Sequence, residues 1–481
     1  MKHMKRRELI KSSALGLSAA MLPFWSCSGA SAQSPKVEMV AKEIRHQLMS
    51  NGPLSSLWAF ETSHGAGLLG KALRYQLGDT LNVNLSSEID DGVSVHWHGL
   101  RLPNGMDGTE MVQMGVRPGQ DNFEYDFEVF DPGTHWFHSH QRSWDQVARG
   151  LYGMVIVSDP NEPDLHDIPL ILDDWRLDSD GRQDVNSLGD PHDWSHAGRT
   201  GNFLTVNGHP SPLIEVPREG WLRLRFLNAA TAIFFAPSLE VSNAKIVAFD
   251  GFSVRAQDPS GNSNLIGPGQ RLDLVIDARQ LNPEGQAVTQ NGRTLATLKP
   301  SDAVATSSRM RNPYRAFREY STRGLEPAAN PTQQVTLTMN GGAMGGLEGL
   351  TLNNVPASMA QLRQANRFWG FNGKADGMQD PSDYAGWDEP LFRAHFDETI
   401  HLTLVNDTNW HHTIHVHGQH FRVLENHGLP HEQGLFRDSV NVVRGDRVKI
   451  AMRANAVGWW PIHCHMLGHQ AAGMATWYNV G

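Results

Sequence analysis

Four His-x-His tripeptides lie in two matched blocks, one toward each end of the chain, and they constrain the fold more than any other feature. The pairs are His96/His98, His138/His140, His415/His417 and His463/His465. Side chains at positions i and i+2 of a β-strand point to the same face, so each pair presents two imidazoles side by side. The two blocks therefore predict a multi-metal cluster where an N-terminal and a C-terminal β-domain meet.

Composition narrows the kind of site. The chain has 481 residues, with 24 histidines and only 2 cysteines. So few cysteines exclude a disulfide framework and a Cys₄ zinc or iron–sulfur site. Imidazole suits copper, zinc, iron and nickel. A net charge of −10 argues against a nucleic-acid partner, and no apolar run is long enough to span a bilayer.

Cys464 stands between His463 and His465, so in a strand its sulfur points to the face opposite their imidazoles. Two different sites can then share one tripeptide. Further candidate ligands are His469 and Met474, which follow Cys464 by five and ten residues, and His412, which precedes His415 by three. Two histidines, a cysteine and a weak axial methionine form a blue-copper electron-transfer site. The alternative for Cys464 is a small buried apolar residue.

Short strand-like runs recur along the chain, separated by Gly, Pro, Asn and Asp; Leu81 to Leu85, Leu222 to Leu227 and Ile400 to Val405 are examples. Helical pattern is scarce, with a possible turn near Met39 to Met49 and a short helix from Ala357 to Ala365. Many short strands at regular spacing predict an all-β chain of consecutive sandwiches.

The strand pattern divides into three predicted domains: residues 36–165, residues 166–334 including a linker at 306–334, and residues 335–481. No histidine lies between His209 and His395. The middle domain is therefore predicted to be a spacer that supplies no metal ligand.

Residues 1–32 have the pattern of a secretory leader. Paired Arg6 and Arg7 precede an uncharged stretch and small residues that end at Ala32. The pattern predicts a twin-arginine signal peptide, cleavage near Ala32, export by the Tat translocase and a periplasmic mature protein. A general secretory signal with two adjacent basic residues is the alternative. Cys27 is expected to leave with the leader.

The histidine segments resemble the four copper motifs of three-domain multicopper oxidases, a family that includes laccases and bacterial copper-efflux oxidases. The segments are HWHG (His96 to Gly99), HSH (His138 to His140), HTIHVHG (His412 to Gly418) and HCHMLGHQAAGM (His463 to Met474). The likeness covers the whole chain after the leader. It implies three consecutive cupredoxin-like Greek-key β-sandwich domains.

The resemblance also implies a ligand set for one type 1, one type 2 and a pair of type 3 copper ions, four in all. The type 1 ligands would be His412, Cys464 and His469, with Met474 axial. The type 2 ligands would be His96 and His415. The type 3 ligands would be His98, His138, His140, His417, His463 and His465.

The activity implied by the resemblance is the reduction of dioxygen to water. Single electrons from a reducing substrate would enter at the type 1 copper and pass through Cys464 to its neighbours His463 and His465. Asp107 matches an acidic residue that the family keeps near the cluster; its alternative is a turn residue in Asn-Gly-Met-Asp-Gly. Relatives often have a glutamate after the second type 1 histidine. Here that residue is Gln470, which cannot carry a proton, so protons must arrive elsewhere or turnover is slower.

Three further histidines stand next to the copper motifs. They are His135, His411 and His420. We expect them to pack or to form hydrogen bonds rather than to bind metal.

Two classes of reducing substrate remain open, phenols and aromatic amines for a laccase-like oxidase, or Cu(I) for a periplasmic metallo-oxidase in copper tolerance. The residues before His412 are Thr408, Asn409, Trp410 and His411, without the carboxylate and thioether that efflux oxidases have there. Residues 336–390 contain only four methionines, Met339, Met344, Met359 and Met378. A cuprous site needs sulfur ligands, so the sequence favours the laccase-like activity. Trp410 and Phe371 are candidates to flank an aromatic donor.

Functions outside this enzyme class fit less well. Some exported relatives keep the fold, lose the coppers and act in cell division, but here the ligand set is intact. Copper nitrite reductases lack the His-Cys-His arrangement that serves a type 3 pair. Copper storage without turnover is a further alternative.

Overall fold

The computed structural model describes residues 36–163, 165–306, 311–320, 325–344, 346–377 and 389–481. The predicted leader lies outside these residues, so the signal peptide stays a prediction. No helix in the described part of the chain is long and apolar enough to cross a membrane.

The first domain consists of two four-stranded sheets. Its strands are β1 (Val37–His46), β2 (Ser55–Thr62), β3 (Leu73–Gln76), β4 (Thr80–Ser87), β5 (Val95–His98), β6 (Phe123–Glu128), β7 (Gly133–Ser139) and β8 (Tyr152–Ser158). The sheet orders are β2-β1-β4-β6 and β3-β8-β7-β5. The helical turn predicted near Met39 to Met49 was wrong. Val37, Met39 and Ala41 alternate with more exposed neighbours, and this period of two places one face of β1 in the core.

The middle domain has a six-stranded and a four-stranded sheet. Its strands are β9 (His166–Trp175), β10 (Phe203–Val206), β11 (Leu213–Pro217), β12 (Trp221–Asn228), β13 (Ser238–Leu239), β14 (Lys245–Phe249), β15 (Phe252–Gln257), β16 (Arg271–Asp277), β17 (Gln286–Gln290) and β18 (Arg293–Ser301). The sheet orders are β10-β9-β12-β16-β14-β15 and β11-β18-β17-β13.

The last domain has a six-stranded and a five-stranded sheet and a small hairpin, β20–β21. Its strands are β19 (Gln333–Gly341), β20 (Thr351–Leu352), β21 (Val355–Pro356), β22 (Trp369–Phe371), β23 (Arg393–Ala394), β24 (Thr399–Asn406), β25 (His412–Val416), β26 (Phe421–Asn426), β27 (Phe436–Arg437), β28 (Ser439–Val442), β29 (Arg447–Arg453), β30 (Gly458–Cys464) and β31 (Ala475–Val480). The large sheets run β22-β19-β24-β29-β26-β27 and β23-β31-β30-β25-β28. β19 begins two residues before the predicted start of this domain, and the domain boundaries stay a prediction.

Helices are few and short in the described part of the chain. They are α1 (Ser143–Gln146), α2 (Pro191–Ser195), α3 (Met359–Gln364) and α4 (Leu467–Ala471), with 3₁₀ turns at Asn104–Met106, Val185–Ser187, Ala278–Gln280 and Pro430–Glu432. The predicted helix near 357–365 is confirmed as α3. Ser358 caps its N-terminus: the Ser358 side chain accepts from the Gln361 amide, and the Gln361 side chain accepts from the Ser358 amide.

Strand pairing brings the histidine pairs together. His96 lies opposite His138 across β5 and β7, and His415 lies opposite His463 across β25 and β30. One apolar core joins the first and last domains and includes Trp97, Ile414 and Cys464, whereas most of the middle domain has a core of its own. The fold therefore places the four strands that carry the histidine pairs around the apolar core that joins the first and last domains.

Candidate metal centre

Ten histidines, Cys464 and Asp107 make up five groups of three potential metal ligands, in each of which the ligand atoms lie within 4.8 Å of one another. The groups are His96/His98/His415, His98/His138/His465, His140/His417/His463, His96/Asp107/His417 and His412/Cys464/His469. All their members are buried. Within the described residues, none of these ligands comes from the middle domain.

Cys464 and two histidines form a separate site on the far face of β30. The Cys464 Sγ lies 3.6 Å from Nδ1 of His412 and 3.9 Å from Nδ1 of His469, and the two Nδ1 atoms are 3.2 Å apart. The outer nitrogens are both occupied. Nε2–H of His412 donates to Thr408 Oγ1 at 2.8 Å, and Nε2–H of His469 donates to the backbone carbonyl of His196 at 2.7 Å. Both rings therefore turn Nδ1 toward the sulfur.

The backbone of Met474 is hydrogen-bonded to two of these residues, His469 and Cys464. Its amide donates to the His469 carbonyl at 2.9 Å, and its carbonyl accepts from the Cys464 amide at 3.0 Å. The side chain is fully buried. Gly473 before it has φ +117° and lies against the Trp369 carbonyl, where a side chain would collide. The axial role of Met474 stays a prediction.

The remaining eight histidines converge in a second site. Nε2 of His96 lies 3.3 Å from Nε2 of His415, and Nε2 of His417 lies 3.0 Å from Nε2 of His463. Several ring nitrogens here are buried and have no hydrogen-bond partner in the described structure: Nδ1 of His98, Nε2 of His138, Nε2 of His140 and Nε2 of His465. An unsatisfied buried polar atom costs about 1–3 kcal/mol. Metal ions between these nitrogens would remove that cost, so the residues fit a metal cluster.

Both outer domains match the family model of multicopper oxidases, over residues 59–162 and 354–481. A solved structure named Lac15, from a marine microbial metagenome, is 30% identical with a TM-score of 0.64, and the match covers 93% of this chain and 100% of that one. The chain belongs to the multicopper oxidase family. It is therefore a copper enzyme that uses dioxygen, as the sequence motifs predict.

Other relatives agree with this assignment. The multicopper oxidase MmcO of Mycobacterium tuberculosis is 28% identical over 86% of this chain and 82% of its own length. The fold matches a multi-copper oxidase from Pseudomonas thermotolerans with a TM-score of 0.76 at 24% identity, over 93% of this chain and 99% of that one. Further relatives bear the names laccase, copper resistance protein and cell division protein. The predicted cupredoxin-like sandwich fold is confirmed.

In this multicopper oxidase, burial keeps eight of the ten ligand histidines in the protonation state that copper needs. Burial lowers the pKa of His98, His138, His412, His415, His417, His463, His465 and His469, several of them well below the usual value. These imidazoles are neutral at pH 7 and can donate a lone pair. Burial raises the pKa of the Cys464 thiol to about 12. A metal bound there must displace that proton.

Asp107 bridges two of the cluster histidines. Its Oδ2 accepts from Nδ1–H of His417 at 3.0 Å. Nδ1–H of His96 donates to the Asp107 backbone carbonyl at 3.0 Å and lies 3.2 Å from the carboxylate Oδ1. Asp107 thus fixes one predicted type 2 and one predicted type 3 ligand with Nε2 facing inward, a more specific placement than a turn residue needs.

Glu110 contacts His140, and the sequence motifs do not predict this contact. Its carboxylate accepts from Nδ1–H of His140 at 3.0 Å. Burial lowers the pKa of His140, but the Glu110 carboxylate outweighs it and leaves that pKa raised. Gln470, which accepts from the Ser143 hydroxyl at 3.0 Å, lines the same small cavity as Glu110. The carboxylate at this edge of the cluster therefore comes from residue 110 rather than residue 470.

The three extra histidines lie outside the five ligand groups. His135 donates from Nε2 to the Asp131 carbonyl, and His420 from Nε2 to the Gly99 carbonyl, each at 3.0 Å. His411 accepts from the Arg444 amide at 3.0 Å through Nδ1. Hydrogen bonding is the role that the sequence predicts for them.

The middle domain does more than separate the outer domains. Its described residues supply none of the five ligand groups, but the His196 carbonyl that holds His469 belongs to it. The side-chain amide of Gln270 also donates to the Ser439 carbonyl at 3.0 Å, next to the cluster. That the middle domain supplies no metal ligand stays a prediction, and these supporting contacts lie outside it.

We expect Cys464→Ser to abolish the intense blue absorption of the copper-loaded protein, because a hydroxyl does not replace the thiolate in the copper bond. Absorption spectra of wild type and variant at equal copper loading measure the effect. The near-ultraviolet absorption of the histidine cluster on the other face should persist. A variant that stays blue would contradict the assignment of Cys464.

We expect Thr408→Val to raise the reduction potential of the blue site by up to about 40 mV. This figure takes one neutral hydrogen bond as ~1 kcal/mol and a tenfold change in a one-electron equilibrium as about 59 mV. Without its acceptor the His412 ring donates less charge and favours Cu(II) less. Redox titration of the blue band measures the shift, and Thr408→Ser, which keeps the hydroxyl, is the matched control. An unchanged or lower potential in Thr408→Val would contradict the role of this bond.

Proposed function

We propose that the protein is an exported, laccase-like oxidase that takes single electrons from phenols or aromatic amines and reduces dioxygen to water. In this proposal His412, Cys464, His469 and Met474 hold the type 1 copper, His96 and His415 the type 2 copper, and the other six cluster histidines the type 3 pair. Bound copper would supply the one-electron redox steps. The protein's own residues bury these imidazoles, keep most of them neutral and fix their tautomers through hydrogen bonds to the outer nitrogens.

The observation that carries the substrate proposal is a cleft of about 660 Å³ lined by the two residues that flank Thr408 in the chain. Asp407 and Asn409 line it, and Thr408 between them accepts the hydrogen bond from His412. A donor in the cleft is thus separated from a type 1 ligand by one residue and one hydrogen bond. Both type 1 imidazoles are fully buried, so the reductant acts from this distance rather than by touching the ring.

The described lining of the cleft suits an organic donor. It is rich in hydrogen-bonding groups, including Asn340, Asn372 and Asn409, and has a single thioether, from Met344. A phenol hydroxyl or an aromatic amine can bond to such groups, whereas Cu(I) prefers several sulfur ligands. Of the two aromatic residues considered for contact with a donor, Trp410 is partly exposed and follows Asn409 of the cleft lining. Phe371 is buried in the core and does not flank a donor.

Export to the periplasm is part of the proposal. It rests on the leader-like residues 1–32, with paired Arg6 and Arg7. The Tat translocase moves folded proteins, which suits a metal centre built from ligands at both ends of the chain.

Oxidation of Cu(I) is the second candidate function. Met344 is 79% exposed at the cleft, and the carboxylates of Glu348 and Asp407 line it as well. A thioether and two carboxylates can receive a copper ion. A scaffold role in cell division is disfavoured, because the five ligand groups are complete.

Oxygen uptake with a substituted phenol and with Cu(I), each with and without added Cu(II), tests the proposal. We expect phenol oxidation that needs no added copper and exceeds Cu(I) oxidation in kcat/KM, because the cleft offers hydrogen bonds and little sulfur. A preference for Cu(I), or phenol oxidation only with added Cu(II), would contradict the laccase-like function.

Two methionine variants test the alternative separately. Met359 is 51% exposed on α3 and is not part of the cleft lining, so Met359→Leu is the matched control for Met344→Leu. A loss of Cu(I) oxidation in Met344→Leu but not in Met359→Leu would support the metallo-oxidase.

A further inference from the structure

Arg271 begins β16 in the middle domain and is fully buried where the three domains meet. A guanidinium has five N–H groups, and all five are used here. Nε donates to the Thr134 carbonyl, Nη1 to the Gly269 carbonyl and to Asp438 Oδ1, and Nη2 to the Asp250 carbonyl and to Asp438 Oδ2, at 2.6–3.2 Å. One side chain thus binds the first domain, its own domain and the last domain.

Asp438, the acidic partner, contacts ligands proposed for two different coppers. Its Oδ1 accepts from Nε2–H of His98 at 3.0 Å, and its backbone carbonyl accepts from Nδ1–H of His415 at 2.8 Å. The two imidazoles are stacked, with centroids 3.7 Å apart and planes 15° from parallel. Asp438 therefore sets the positions of a type 2 and a type 3 ligand together.

The contact with Asp438 also decides which nitrogen of His98 is available. Because Nε2 carries the proton given to the carboxylate, Nδ1 is the unprotonated nitrogen, and it is the one that is buried without a partner. Charge-assisted hydrogen bonds of this kind fix a metal-bound histidine and its tautomer.

We propose that Arg271 is a positioning residue of the trinuclear centre. By donating from Nη1 and Nη2 to the two carboxylate oxygens of Asp438, it holds His98 with Nδ1 toward the metal and keeps His415 stacked on it. This inference rests on the proposed copper assignment. It gives the middle domain a part in copper binding although that domain supplies no ligand. Copper binding at the trinuclear site therefore depends on the fit of all three domains.

A neighbouring arginine provides a control for simple loss of a buried ion pair. Arg225 on β12 is 4% exposed, and it donates to Asp167, to Asp273 and to the hydroxyl of Thr134. It thus contacts the same residue of β7 as Arg271 does. None of the residues to which Arg225 donates is a proposed copper ligand.

The test compares copper-loaded wild type, Arg271→Lys, Asp438→Asn and Arg225→Lys. Lysine keeps the charge but cannot serve five acceptors from a single nitrogen. We expect Arg271→Lys and Asp438→Asn to keep the blue absorption but to bind copper at the trinuclear site roughly 10- to 100-fold more weakly, the usual cost of losing a partner of a metal ligand. The near-ultraviolet absorption of the coupled pair should fall and its EPR-silent copper should become visible. Arg225→Lys should keep the wild-type spectra.

The outcomes separate the inference from the function on which it rests. Wild type without copper-dependent spectra would overturn both. Wild type with both copper signals, and Arg271→Lys with the same signals or with losses equal to those of Arg225→Lys, would overturn the inference alone. If Arg271→Lys does not fold, Asp438→Asn decides by the same spectra. Unfolding of both, measured by thermal denaturation of the metal-free proteins, would assign the pair to folding and contradict a positioning role.

Discussion

The alternation of side chains along β30 is the constraint on which the rest of the metal centre depends. His463 lies in β30 and His465 follows its last residue, and both belong to the histidine cluster. Cys464 between them belongs to the other site, so one tripeptide takes part in two sites. The cysteine sulfur lies within 4 Å of Nδ1 of both His412 and His469. Three consecutive residues therefore connect the Cys464 site to the histidine cluster by a covalent path, and a one-residue shift of the strand would exchange their faces and destroy both sites.

Neither outer domain can build the cluster alone. The first domain brings His96, His98, His138 and His140, and the last domain brings the other four cluster histidines. Their shared apolar core holds the two sets together, but ring orientation is set by polar contacts. Asp107 and Asp438 accept hydrogen bonds from ring nitrogens that face away from the cluster. The middle domain adds two contacts: the His196 carbonyl accepts from His469, and Arg271 donates to Asp438. A domain without ligands thus helps to fix both sites.

The sequence predicts the parts of this centre that follow from strand periodicity. The His-x-His spacing and the position of Cys464 are enough to infer two sites on two faces, and the resemblance to multicopper oxidases supplies the proposed division of ligands into copper types. Partners set by tertiary packing are not predictable in this way. Thr408, Glu110 and Asp438 become recognisable only when the folded chain brings them to His412, His140 and His98. The helical turn expected near Met39 failed because helix-favouring residue types there follow a strand pattern of burial.

Anomalous X-ray scattering at the copper edge, from crystals of the copper-loaded protein, locates each copper among its ligands. We expect about four coppers per chain, one beside Cys464 and the others among the eight cluster histidines. A single copper, or copper bound away from both sites, would contradict this expectation.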